Sequence, residues 1–166
     1  GAVGGESAVN IVAPRYFETL GTPVLRGREF TPDDNDSAPR VVIVNEAFAR
    51  RYLGPGDPLG QRLSVAGFGP LESRNAQVVG VVRDVLERGY EQEDKPAAYV
   101  SSDQTEGAPS NLVVRVVGDP LASAPAIQHI IQTVDPDQPV RLVRSMSDII
   151  GLAVSDRRQH TTLLVA

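Results

Sequence analysis

The chain of 166 residues contains no cysteine. Disulfides and thiolate metal sites are therefore excluded, although the compartment is not assigned, because cytosolic chains of this length are also often poor in cysteine. Histidine is scarce too: His129 and His160 are the only two. An imidazole metal triad needs a third, or a cysteine, and neither exists. Aromatic residues make up 5% of the chain, and sixteen scattered Lys and Arg stand against twenty-one Asp and Glu, for a net charge of −5. A nucleic-acid surface needs clustered cations and rings for stacking, so nucleic acid is excluded as a partner. No apolar run approaches the roughly 18 to 20 residues of a bilayer-spanning helix, and no signal-peptide pattern occurs. No serine sits in G-x-S-x-G, and no carboxylate pair is placed by a motif. The GFG at 67–69 stops short of a dinucleotide fingerprint, which needs a strand before the glycines, a long helix after them and an acid about 20 residues on. The sequence thus presents no catalytic, cofactor-binding or metal-ligating set, and no cofactor is expected.

What the chain does have is 41% apolar residues, enough to bury one core, as a single domain or as two small lobes sharing it. Its clearest signal is residues 41–63, VVIVNEAFARRYLGPGDPLGQRL. The β-branched run at 41–44 reads as a buried strand, and the period changes at Asn45. Asn45 has the chemistry of an N-cap, Glu46 places negative charge at the start of the helix, and Arg50 and Arg51 place positive charge towards its end. Val44, Phe48 and Tyr52 recur four apart and define its buried stripe, with Ala47 beside them. Gly54 and Pro55 stop the helix, and the turn residues 56–60 lead into a strand near 62–65.

Elsewhere the pattern predicts a strand at 8–12, a helix over 14–20 closed by Gly21, and a strand over 23–30 with no cleanly apolar face. Residues 65–77 read as a hairpin or surface loop, 78–85 as a strand, 87–95 as a polar loop and 98–101 as a short strand, followed by a polar loop over 102–110. A second strand–helix–strand follows: a strand at 112–117, a helix starting near Ser123 and carrying Ala124, Ile127, Ile131 and Val134, and a strand at 140–144. Pro125 fits only if the helix begins there, with 119–122 as a looser turn. Ser145 to Asp148 spells an S-x-x-D capping pattern. The expected fold class is α+β, two halves of a split βαβ (ferredoxin-like) unit with residues 41–101 inserted between them.

Three polar groups invite functional readings, and each has a plainer one. Thr31-Pro32-Asp33-Asp34-Asn35-Asp36 is rich in oxygen ligands but lacks the alternation, central glycine and distant glutamate of a calcium loop. A Thr cap and acidic residues in a first helical turn account for it. Arg50 and Arg51 with Asp57, or Arg83 with Asp84, could form anion-binding or switch pairs, but ordinary surface ion pairing is the better account, because such pairs are common and individually weak. His129 falls off the apolar stripe of its helix and reads as solvated, and His160 lies in a polar segment.

NEAFARRYLGPGDPLGQRL and the upstream YFETLGTPVLRGREFTPDD resemble the extracytoplasmic core domain of MacB/FtsX-like ABC transporter permeases. VVGVVRDV, LVVRVVGDPLA, VDPDQPV and the terminal RRQHTTLLVA extend the likeness over nearly the whole chain. The resemblance implies a porter-type lobe from residues 1–40 and 110–160 and an inserted sabre-like lobe from 41–109, with 161–166 starting a truncated transmembrane helix. It also implies a non-enzymatic domain outside the inner (cytoplasmic) membrane, transmitting change driven by ATP hydrolysis on a separate nucleotide-binding domain. The implied partners are the chain's own transmembrane helices, the ATP-binding subunit and a possible second copy of the domain. Residues 41–101 are shorter than the adaptor-docking insert of the macrolide exporters, and the wording is closer to permeases with two duplicated halves. A different class of reading is a small-ligand domain with a pocket between the two lobes.

Overall fold

The structure is a computed structural model and describes residues 8–65, 75–84, 95–105, 111–137, 139–140 and 142–149. Four β-branched residues in succession leave a strand no polar side to offer water, so both of its faces must be covered. Strand β3 (Val41–Asn45) is accordingly buried at all five positions and is the middle strand of the sheet. The other elements in chain order are β1 (Ala8–Val12), α1 (Tyr16–Leu20), β2 (Val24–Gly27), α2 (Glu46–Phe48), β4 (Arg62–Ser64), β5 (Asn75–Val82), β6 (Ala97–Ser101) and α3 (Ala124–Val134). The sheet runs β1-β6-β3-β5-β2. β3 is parallel to β5 and antiparallel to β6, while β1 is parallel to β6. β4 pairs with the first residues of β5 and β2 with its last, so two short strands share one edge of a long one.

Alternation along β3 sends Val42 and Val44 to one face and Val41 and Ile43 to the other. The first face closes against Phe48, Leu63, Val78, Val81 and Val100. The second closes against Phe17 of α1, Phe30, Val82 and Tyr99. Phe17 and Tyr99 meet edge to face with centroids 4.9 Å apart, which ties α1 to β6.

Local signals produce the elements they predict. Gly21 closes α1 at φ +73°, and Asn45 caps α2 by accepting from the Phe48 amide at 2.9 Å. The helix continues as a π-helical turn over Ala49–Leu53 and stops at Gly54, φ +72°. Pro125 sits in the first turn of α3. There its missing N–H costs nothing. The Ser145 hydroxyl accepts from the Asp148 amide at 3.1 Å, as the capping pattern requires.

Other expectations are corrected. The strand over 23–30 ends at Gly27, whose φ of +74° breaks the regular ladder, although the Arg28 amide still donates to the Val79 carbonyl at 3.0 Å. β5 begins at Asn75, inside the expected loop at 65–77, because β4 is there to pair with it. Residues 31–36 form hydrogen-bonded turns and no helix. The mixed α/β sheet agrees with the expected fold class. β1 and β2 run parallel and α1 joins them, with three strands between them, β6, β3 and β5, all from 41–101 and all in the same sheet as residues 8–27. The expected strands at 112–117 and 140–144 have no ladder partner among the described residues, and no described strand follows Ser101. β-propensity yields a strand only where a neighbouring edge accepts its hydrogen bonds.

The chain groups into two units, 1–85 with 93–113, and 86–92 with 114–166. The first contains the sheet. The second, in its described part, contains α3 and the capped turn at Ser145. No helix among the described residues is long and apolar enough to cross a membrane. The terminal segment 161–166 and His160 lie outside the described residues, as does most of the loop at 87–95.

Candidate functional site

The densest polar arrangement lies where β3 turns into α2. Asn45 is 2% exposed, and every polar atom of its side chain is used. Its Oδ1 accepts from the Phe48 amide and from the Ala97 amide, each at 2.9 Å, and its Nδ2 donates to the Lys95 carbonyl at 2.8 Å. Beside it, Asp84 Oδ1 accepts from the Ala47 amide at 2.8 Å and Oδ2 from Arg50 Nη2 at 3.0 Å. The Asp84 amide in turn donates to Glu46 at 3.4 Å. A carboxylate thus sits at the positive end of a short helix, where its charge is favourable. The site also joins the start of α2 to the end of β5 and the start of β6.

Two further buried polar side chains hold the loop between β2 and β3. Asp34, 4% exposed, accepts from Arg28 through both carboxylate oxygens, at 2.6 and 2.8 Å, and from the amide and hydroxyl of Thr31 at 2.9 and 3.2 Å. The Arg28 hydrogen bonds lower the Asp34 pKa below the usual carboxylate value, assisted by the Thr31 amide and opposed by burial. Gln104, 2% exposed, accepts from the Val41 amide at 3.1 Å and donates to the carbonyls of Asn35 and Pro39 at 3.0 and 3.1 Å. Arg40 donates to the Gln104 backbone carbonyl.

The candidate pairs of the sequence are brought together differently from their spacing. Arg50 meets Asp84, and Asp57 meets Arg26 at 3.0 Å. Arg51 lies over the Tyr52 ring, 5.6 Å from its centroid. The mixed faces of residues 23–30 are explained here: Arg26 and Arg28 leave an edge strand to pair with Asp57 and Asp34. In the acidic stretch 33–36, Asp34 is occupied by Arg28, and no group of three or more His, Asp or Glu among the described residues is placed to hold a metal ion. His129 is exposed on α3. The roles of Gln104 and of the Asn45 bonds to Lys95 and Ala97 are missed by sequence reasoning, because their partners lie 50 to 69 residues away.

A shallow groove of about 290 Å³ is lined by Leu25, Arg26, Ala49, Arg50, Pro58 and Val81 among others. Both of its arginines already face a carboxylate. An anionic ligand would have to displace one of them.

The sheet is mixed, with one short helix packed on each face and buried polar side chains tying segment to segment. The profile of the MacB-like periplasmic core domain matches residues 1–144, and the chain belongs to that family. Among solved structures the chain is similar to the periplasmic region of MacB from Actinobacillus actinomycetemcomitans. The TM-score is 0.57 at 13% identity, covering 95% of this chain and 66% of that one. It is also similar to the extracellular domain of the noncanonic ABC-type transporter YknZ from Gram-positive bacteria, with TM-score 0.42 and 24% identity, covering 56% of this chain and 42% of that one. The chain therefore spans less than two thirds of either structure, and the first likeness is one of fold. No curated protein matches the chain.

Proposed function

We propose that the chain is the extracytoplasmic domain of an ABC transporter permease held at the inner membrane. It passes conformational change, driven by ATP hydrolysis on a separate nucleotide-binding domain, to a substrate or partner on the outer side. The observation that carries this reading is the family match over residues 1–144. The use of buried polar groups supports it: Asn45, Asp34 and Gln104 each bond backbone from distant or adjoining segments. Such side chains fasten the strands and loops of the sheet-containing unit to one another.

The test uses the permease that contains this domain, reconstituted in liposomes with its ATP-binding subunit. This domain has no cysteine, so in a permease whose other parts are made cysteine-free an Asp33→Cys substitution at an exposed turn accepts a single fluorescent label. A label signal that changes with ATP, and not with a hydrolysis-deficient ATP-binding subunit, is expected. A label blind to hydrolysis overturns the reading.

A small-ligand domain is the second reading, and the groove beside Leu25 and Arg50 is the observation in its favour. At about 290 Å³ it lies at the lower limit of ligand pockets, which run from about 300 to 1,000 Å³. A thermal shift with export substrates that Leu25→Arg abolishes would favour this reading over the first.

A further inference from the structure

The end of β5 and the start of β6 are bonded to one corner. Asp84, two residues past the end of β5, accepts from Ala47 and Arg50 and donates through its amide to Glu46. Lys95, two residues before β6, gives its carbonyl to Asn45, whose Oδ1 also receives the amide of Ala97. Asn45, Glu46 and Ala47 are consecutive. Both strand ends are thus held by three residues that join the central strand to its helix, and both polar atoms of the Asn45 side chain are engaged in these bonds.

We infer that the Asn45–Asp84 corner is a coupling point, at which a displacement of the end of β5 or of the start of β6 is imposed on the other and on the start of α2. The inference rests on the proposed mechanical role for its use in the cell, but the coupling itself is a property of this chain. Asn45 and Asp84 act as positioning residues. Asp84 bonds Glu46, Ala47 and Arg50 and neither Lys95 nor Ala97, so an effect of Asp84 on those two residues has to travel through Asn45–Ala47.

That separation supplies the test, amide hydrogen exchange on this chain. Asp84→Ala should speed exchange at the Ala97 and Phe48 amides by about tenfold, the order expected for loss of one hydrogen bond to a charged group, with β1 amides unchanged. Asn45→Ala should in turn speed exchange at Ala47, which it does not contact, and the double variant should fall short of the sum of the two. Effects confined to each residue's own bonded amides, or strict additivity, overturn the inference. Should Asp84→Ala fail to fold, Asp84→Asn keeps the acceptor for Ala47 and removes the charge facing Arg50, and the same distant response at Ala97 is required of it. Failure of the transport reading is seen separately: an ATP-blind label in the liposome assay leaves the exchange result standing, whereas additive exchange leaves an ATP-responsive label standing.

Discussion

Gly27 and Gly80 pair directly between β2 and β5, and neither position has room for a methyl group. A Cβ on Gly27 would lie 2.1 Å from the Val79 carbonyl oxygen, and one on Gly80 would lie 2.4 Å from the Arg28 carbonyl oxygen. The obstructing atoms are backbone, so no rotamer change relieves them. Gly80→Ala should cost about 2 to 4 kcal/mol, since the edge strand has to move away from β5. Urea unfolding monitored by circular dichroism measures this. A loss below about 0.5 kcal/mol would show that β2 shifts freely.

Asp34 should be worth more than its place in an exposed acidic stretch suggests. Asp34→Ala removes four hydrogen bonds, but its main partner Arg28 is 46% exposed and regains water, so about 1.5 to 3 kcal/mol is expected. The pH dependence has a definite sign. A carboxylate whose pKa is lowered on folding stabilises above its ordinary value of 3.8, and loses that contribution as pH falls from there through its lower folded value. Asp34→Asn should flatten this part of the acid limb and leave stability near pH 7 to 9 without new slope. An unchanged acid limb would remove Asp34 from the account.

Gln104→Glu is isosteric but replaces the two donors facing the Asn35 and Pro39 carbonyls with an acceptor. A buried carboxylate against two carbonyl oxygens should have a raised pKa. The variant should therefore be destabilised by about 2 to 4 kcal/mol at neutral pH, and recover part of this as pH falls through that raised value and the carboxyl takes up a proton. Comparing urea midpoints at pH 7.5 and pH 5 checks it. Equal loss at both values contradicts the donor role.

Arg26→Ala is the contrasting case. Both members of the Arg26–Asp57 pair are about half exposed, so the loss should stay within about 0.5 kcal/mol and vanish at high salt. A loss above about 1.5 kcal/mol would mean that the groove beside it contributes packing its exposure does not suggest.

The local elements were legible because their causes are local. Val44, Phe48 and Tyr52 share a stripe by spacing alone, and Phe48 and Tyr52 do meet, with centroids 4.9 Å apart. Strand order was not legible: α1 joins β1 and β2, yet β6, β3 and β5 lie between them, and nothing in the chain at 8–27 records which strands will fill that gap. Nor did the site follow from spacing: Arg50 is near Asp57 in sequence and paired with Asp84 in space.

By itself, the sequence determined the strand at 41–44, the cap at Asn45, the stops at Gly21 and Gly54, and the exclusion within these residues of a thiolate site or a three-histidine metal site. Each follows from contacts within about five residues or from residue types that are missing altogether. Only the tertiary structure decided strand order, the partners of Asp34, Asp57 and Asp84, and the attachment of Asn45 to Lys95 and Ala97. Most of those choices join groups tens of residues apart, and Asp34, only six residues from Arg28, had a local capping role equally open to it. At such separations, burial and hydrogen-bond satisfaction select among partners that sequence spacing leaves equivalent.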